Sequence, residues 1–227
     1  MPDIPDFHVA IIMDGNRRWA KSRGLLAGMG HRKGAQVLDE IVRIAVRREN
    51  ISALSVYALS TENLERSPKE LKNIYQLLKE YITKKEKEFL ENSVSVSFPG
   101  NLALLPHDVR EAALALSEKT KGGTALQFQI CIAYGGRDEI VRGAEKLAQQ
   151  NIPFTERNLE TQLDFSGLPP VDLLIRTGGK KRISNFLLWE AAYAEIFFTD
   201  ILWPDFTEKH LDEALQFFTE QIRTYGK

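Results

Sequence analysis

His8-Val9-Ala10-Ile11-Ile12-Met13-Asp14-Gly15-Asn16-Arg17-Arg18-Trp19 decides the fold: a mostly apolar, β-rich run passes directly into a carboxylate, a glycine, an amide, two guanidiniums and an indole. Such a run, cut off by turn-forming polar residues, reads as a buried strand. Polar groups delivered at the carboxyl end of a strand lie where open α/β sheets receive ligands. Outward from it, similar short runs at residues 51–58, 94–98, 125–134 and 171–175 alternate with longer segments of helical period. Val37, Leu38, Ile41, Val42 and Ala45 mark one helical face, and Leu71, Ile74, Tyr75, Leu78, Tyr81 and Ile82 mark another. Ser67 and Pro68 suit the cap and first position of that second helix, and Glu70 completes a capping box. Further helices are expected at 106–119, 138–149 and 207–224. The alternation predicts a single α/β domain over residues 1–227, with a mainly parallel β-sheet flanked by helices.

Composition narrows the function. Thirty Lys and Arg against 31 Asp and Glu leave a net charge of −1, so no global positive field draws in nucleic acid, and a polyanion must be held by a local cluster. The single cysteine, Cys131, sits in an apolar run and reads as a buried thiol in a reducing compartment. No stretch approaches the length of a membrane span and the N-terminus lacks signal-peptide design, so a cytoplasmic protein is expected.

Three polar clusters follow apolar strands. At Asp14 to Trp19, glycine permits close approach to a ligand, backbone amides bind anions, and arginine supplies forked donors matched to phosphate. A carboxylate there would repel an anion unless a hard cation such as Mg²⁺ bridges them; the competing reading is a turn in which Asp14 and Asn16 cap the next helix. The second cluster, Ser60-Thr61-Glu62-Asn63-Leu64-Glu65-Arg66, reads equally as a polar loop before Ser67. The third, Arg176-Thr177-Gly178-Gly179-Lys180-Lys181-Arg182-Ile183-Ser184-Asn185, places four cations around a Gly-Gly pair, an expected anion site. Together they suggest a cleft for two phosphorylated ligands. Glu195, set among Ala194, Ile196, Phe197 and Phe198, is either paired in the core or a metal ligand. The P-loop pattern is absent, because Leu174 stands where its first glycine belongs. Gly28-Met29-Gly30 with Gly34 is a near miss to a dinucleotide fingerprint.

These residues resemble the cis-prenyltransferase family. The likeness runs from about His8 to Gly226, through His8 to Asn16, Gly30-His31, Tyr57 to Asn63, Tyr134-Gly135-Gly136-Arg137, Asp172 to Gly179, Arg182 to Trp189, Tyr193-Ala194-Glu195 and Leu202-Trp203-Pro204-Asp205-Phe206. The resemblance implies a homodimer with an apolar tunnel between sheet and helices. It implies Mg²⁺-dependent condensation of isopentenyl diphosphate with an allylic primer, expected to be farnesyl diphosphate, to give a cis-polyprenyl diphosphate. The expected product is undecaprenyl diphosphate for a cell-wall lipid carrier, and membrane contact is expected only peripherally, through that lipid. It further implies Asp14 as catalytic carboxylate and Mg²⁺ ligand, Glu195 as second ligand, and Asn63 at the reacting centre with Ser60, Thr61 and Glu62. Gly15, Asn16, Arg17, Arg18 and His31 would hold the allylic diphosphate with Trp19 beside it; Arg66, Arg176, Arg182, Ile183 and Ser184 would bind isopentenyl diphosphate. No two adjacent aspartates occur, which excludes the Asp-Asp-x-x-Asp motif of trans-prenyltransferases.

The chain departs from the family pattern at Arg17 (commonly glycine), Ala27 (arginine), Leu64 (tryptophan), Lys180 (glutamate) and Thr224 (arginine). The alternatives are a shorter prenyl diphosphate made by the same fold and, from another class, a dinucleotide-binding α/β enzyme.

Overall fold

The computed structural model describes residues 7–48 and 50–221. Six strands, β1 (Phe7–Ile12), β2 (Ile51–Ser60), β3 (Val94–Ser97), β4 (Leu126–Tyr134), β5 (Leu173–Arg176) and β6 (Glu195–Phe198), form one parallel sheet in the order β3-β4-β2-β1-β5-β6. Every residue of β1 is buried, as expected for a central parallel strand covered on both faces. Its side chains alternate between two apolar clusters: Val9 and Ile11 join the larger core, while Ala10 and Ile12 join a smaller one with Cys131, Tyr134, Phe165 and Phe186.

Helices α1 (Asn16–Ser22), α2 (Ala27–Arg47), α3 (Pro68–Glu91), α4 (His107–Thr120), α5 (Gly136–Gln149), α6 (Glu156–Glu160) and α7 (Glu208–Thr219) fill the connections. The expected face of α2 is its buried face. In α3, Leu71, Ile74, Tyr75, Leu78 and Tyr81 pack against the larger core and Ile82 is buried within it. Ser67 caps α3 by accepting the Glu70 N–H at 3.4 Å. The capping box does not close, because the Glu70 carboxylate pairs instead with Arg66 at 3.1 Å. An arginine offers that carboxylate a charged partner that a backbone amide cannot match.

Five strands lie within a residue or two of their expected positions. β6 is not among the expected strands, because its four residues, half-buried or exposed at the sheet's edge, carry no alternation. The last helix ends at Thr219; its expected end at Thr224, and the departure at Thr224, lie outside the described residues. The glycines near residue 28 serve helix packing. A Cβ at Gly30 would stand 2.0 Å from the Asn16 carbonyl oxygen, and one at Gly34 would stand 2.3 Å from Asn16 Oδ1. Those two positions, one turn apart, let α2 lie directly on the start of α1, and they form no phosphate loop.

Candidate active site

In sheet order β1 is flanked by β2 and β5, so the strand order switches sides at β1 and a crevice opens outside the carboxyl ends. A cleft of about 640 Å³ lies there, lined by Asp14, Asn16, His31, Ser60, Glu62, Asn63, Arg66, Arg176, Arg182, Ser184 and Asn185, with Tyr57, Ala58 and Ile74. The three clusters therefore converge on one space.

Asp14 follows β1 and Arg176 ends β5, with Ile12 and Arg176 paired in register. Arg176 Nη2 donates to Asp14 Oδ2 at 2.9 Å, and Arg18 Nη2 donates to Asp14 Oδ1 at 3.0 Å. Arg176 Nη1 also donates to the Arg182 carbonyl at 2.6 Å and to Ser184 Oγ at 2.8 Å. Its Nε is buried without a partner. With a side chain only 5% exposed, this guanidinium is held rigidly at the cleft wall. Gly15 takes φ of 121° with Leu202 3.0 Å from a hypothetical Cβ, so a side chain there would be both strained and crowded.

Beside the cleft, a recess of about 110 Å³ is lined by Met13, Asp14, Gly15, Asn16, Arg17, Arg18, His31 and Arg66. Glu70 ties two of these cations in place, with Arg66 at 3.1 Å and Arg17 at 3.8 Å. Burial and the neighbouring Arg66 and Arg17 charges lower the His31 pKa against the pull of Glu70. Those surroundings disfavour the protonated form of His31. Three guanidiniums around so small a volume suit a compact, multiply charged anion.

Asn63 lines the cleft on the short 3₁₀ turn Glu62–Glu65, and its N–H donates to Ser60 Oγ at 3.1 Å. Burial would raise the Glu62 pKa, but hydrogen bonds from its own backbone, Asn185, Ser60 and Thr61 lower it overall. Asn185, the last residue of the third cluster, lines the cleft although it was assigned no role of its own. Its Nδ2 donates to Glu62 Oε1 at 2.9 Å, and its Oδ1 and carbonyl receive Arg137 N–H at 3.0 Å and Gly136 N–H at 2.7 Å. Ser184 and Asn185 both have left-handed backbones, φ 52° and 63°, and Asn tolerates that region better than most residues. That preference was the signal available. Glu70 was also missed, because its helix-capping pattern offered a complete local explanation.

Several expected residues are placed elsewhere. Trp19 Nε1 donates to Asp205 Oδ1 at 2.7 Å and its ring lies 4.3 Å from the Arg23 guanidinium, outside the cleft and recess linings. Ile183 packs against the smaller apolar cluster. Thr61 donates its N–H to the Tyr134 carbonyl at 2.9 Å and does not line the cleft. The Gly-Gly pair forms no anion nest: Gly178 and Gly179 N–H groups donate to the Ile201 and Thr199 carbonyls at 2.7 and 2.9 Å, while Lys180 and Lys181 are exposed. Glu195 opens β6 opposite Leu173. That is three residues, about 10 Å of strand, before the level of Arg176, so the single chain does not bring it to Asp14. Among the described residues no group of three or more His, Cys, Asp or Glu could hold a metal ion.

An apolar pocket of about 110 Å³ adjoins the cleft, sharing Met13, Asn16, His31 and Ala58 with it and adding Leu38, Leu78, Tyr81 and Ile130. The expected tunnel is not shown among the described residues, where this short recess stands in its place.

A family model described as "Putative undecaprenyl diphosphate synthase" matches residues 12–226. Isoprenyl transferase of Treponema denticola is 41% identical over 220 residues, 96% of each chain. That of Campylobacter jejuni (strain RM1221) is 40% identical over 221 residues, 97% of this chain and 98% of the relative. The crystal structure of lavandulyl diphosphate synthase from Lavandula x intermedia, in complex with dimethylallyl diphosphate, superposes with a TM-score of 0.93 at 32% identity, covering 99% of this chain and all (100%) of that one. One of a "probable undecaprenyl diphosphate synthase" from Campylobacter jejuni superposes with a TM-score of 0.83 at 36% identity over 97% and 98% of the two chains. Likeness over nearly the whole length, in a chain whose sheet gathers three polar clusters into one cationic cleft, shows that this chain belongs to the isoprenyl transferases, the prenyltransferase family of undecaprenyl diphosphate synthase.

Proposed function

We propose that this prenyltransferase condenses isopentenyl diphosphate with an allylic primer, farnesyl diphosphate, in cis geometry, to build undecaprenyl diphosphate for a cell-wall lipid carrier. The observation that carries the reading is Asp14, gripped by Arg18 on one oxygen and Arg176 on the other, between a cationic recess and the cleft. Two anionic ligands side by side need two sets of cations, and these are two such sets. Arg66, expected on isopentenyl diphosphate, lines both the recess and the cleft and so faces both subsites, and Arg17, Arg18 and His31 bind the allylic diphosphate in the recess. They stabilise the negative charge that builds on it as the C–O bond breaks. Arg176, Arg182 and Ser184 hold isopentenyl diphosphate, while Asn63 with Ser60 and Glu62 flanks the reacting ends. The apolar pocket receives the hydrocarbon and keeps water from the allylic centre.

The donor set fits Mg²⁺, which is commonly held by one or two carboxylates plus substrate phosphates rather than by an all-protein cage. Asp14 is such a carboxylate, at the junction of the two subsites. Bound there, the ion would supply charge neutralisation to the diphosphates. We place the enzyme in the cytoplasm as a homodimer.

The small volume of the apolar pocket, about 110 Å³, favours a second reading, in which the same chemistry stops at a shorter prenyl diphosphate. Thermal denaturation with Mg²⁺ plus farnesyl diphosphate, against Mg²⁺ plus NAD, tests the substrate class. The former raises the melting temperature by mass action; a rise with NAD alone contradicts the reading.

A further inference from the structure

From Asn16 to Lys33 the chain carries Arg17, Arg18, Lys21, Arg23, Arg32 and Lys33 and no acidic residue, in a molecule of net charge −1. At the centre of this segment, where α1 turns into α2, Leu25, Leu26 and Met29 are 41%, 82% and 50% exposed. The turn is ordered by backbone bonds, Gly24 N–H to the Lys21 carbonyl at 3.2 Å and Leu25 N–H to the Ala20 carbonyl at 2.9 Å. A Cβ built on Gly24 or Gly28 would meet nothing within 4 Å, so nothing packs against the turn at these two positions. Arg17, Arg18, Arg23 and Arg32 are countered by Glu70, Asp14, Asp205 and Glu80. Lys21 and Lys33 make no ion pair among the described residues. Lys33 lies one helical turn beyond Met29, on the same face of α2.

A convex tip with three aliphatic side chains is too small for a stable protein interface, which buries roughly 1,200–2,000 Å². It has the two elements of an interfacial membrane contact: apolar side chains that insert at the acyl boundary and cations that meet anionic headgroups. We propose that the α1–α2 turn docks on an anionic phospholipid bilayer, with Leu25, Leu26 and Met29 inserted and Lys21 and Lys33 on the headgroups. Membrane contact then belongs to the protein itself as well as to its lipid product, and the recess lined by Arg17, Arg18 and His31 opens beside the bilayer surface. The proposal rests on this surface and is independent of the reaction assigned to the cleft.

Co-sedimentation of the purified protein with vesicles of phosphatidylglycerol and phosphatidylcholine, and with phosphatidylcholine alone, tests it without substrate. The protein binds the anionic vesicles, about tenfold or more weakly with phosphatidylcholine alone. The double variant Leu26→Ser, Met29→Ser loses about tenfold or more in vesicle affinity, and Lys21→Gln, Lys33→Gln loses affinity for anionic vesicles only. Lys21, Leu26 and Met29 are exposed and Lys33 is half-buried with no ion pair among the described residues, so the variants keep the wild-type melting temperature; if the leucine variant does not fold, the lysine variant decides. Wild type that stays in the supernatant, or variants that sediment as it does, overturns the proposal. So does a leucine variant whose only change is a smaller sedimenting species, which would make the tip a contact between copies of the chain.

Discussion

Asp14 is half-buried, with a guanidinium on each oxygen, so removing its carboxylate leaves two cations facing each other across the subsites. Asp14→Ala is expected to lower turnover by about 10² or more, the scale of a preorganised electrostatic group, while the strands on either side stay paired. Incorporation of labelled isopentenyl diphosphate together with the melting temperature checks this; a variant keeping more than about a tenth of the turnover contradicts it. Arg17 occupies a position where the family commonly has glycine, and Ala27 one where it commonly has arginine. The structure sets Arg17 in the recess wall but leaves its side chain 61% exposed, so solvent screening discounts its contribution to about 1 kcal/mol. Arg17→Gly should raise the allylic Michaelis constant about fivefold, and Ala27→Arg in that background should recover part of the loss. The constant for isopentenyl diphosphate should hold steady. An unchanged allylic constant would make Arg17 a solvated surface residue. Asp14 and Arg176 were legible because residue type and strand-end position coincide, whereas Arg66, past the turn after β2, was assigned only through the family resemblance. Glu70 and Asn185 were not, since what defines them is a partner distant in sequence, Arg17 for one and Glu62 for the other.

At the scale of elements, the contact between α1 and α2 determines where Asn16 and the recess arginines stand. Gly34 has room for no side chain, with Asn16 Oδ1 at 2.3 Å and Trp203 Cδ1 at 2.9 Å from a hypothetical Cβ. The Trp203 Nε1 donates to the Gly34 carbonyl at 2.9 Å, so neither neighbour yields easily. Gly34→Ala is expected to cost about 1–3 kcal/mol by overpacking and to raise the allylic Michaelis constant as Asn16 is displaced. Gly28→Ala, with nothing within 4 Å of its Cβ, should do neither. Denaturant midpoints for the pair decide this; equal midpoints contradict the packing role. The strands β1, β2, β4 and β5 were readable because burial on both faces demands continuous apolar runs, and the edge strand β3 was readable because its Val-Ser alternation matches one buried and one half-buried face. β6, the other edge strand, escaped because its four residues show neither a continuous buried run nor alternation, and α1 escaped because its polar Asn16-Arg17-Arg18 start reads equally as a loop.

Across the whole molecule, the face of the sheet beneath residues 182–191 hides two acids. Glu190 is 8% and Glu139 1% exposed, and neither Glu190 oxygen has a hydrogen-bond partner on another residue. Burial, with the Glu139 charge added, raises the Glu190 pKa; burial likewise raises that of Glu139. A carboxyl with a raised folded pKa favours the protonated fold, so its contribution is full below the ordinary carboxylate range and is lost as pH climbs through the raised value. Glu190→Gln keeps the shape without the titration. Melting temperatures should therefore rise above wild type at about pH 8.5 and differ little at about pH 5. Parallel profiles would contradict this. The central claim concerns the cleft that the switch in strand order opens beside β1. Its most direct test is incubation of the purified protein with Mg²⁺, farnesyl diphosphate and labelled isopentenyl diphosphate, followed by chromatography of the dephosphorylated products and assignment of their double-bond geometry. The account predicts label in a prenyl alcohol longer than the primer, its added units cis. No incorporation, or added units that are trans, would contradict it.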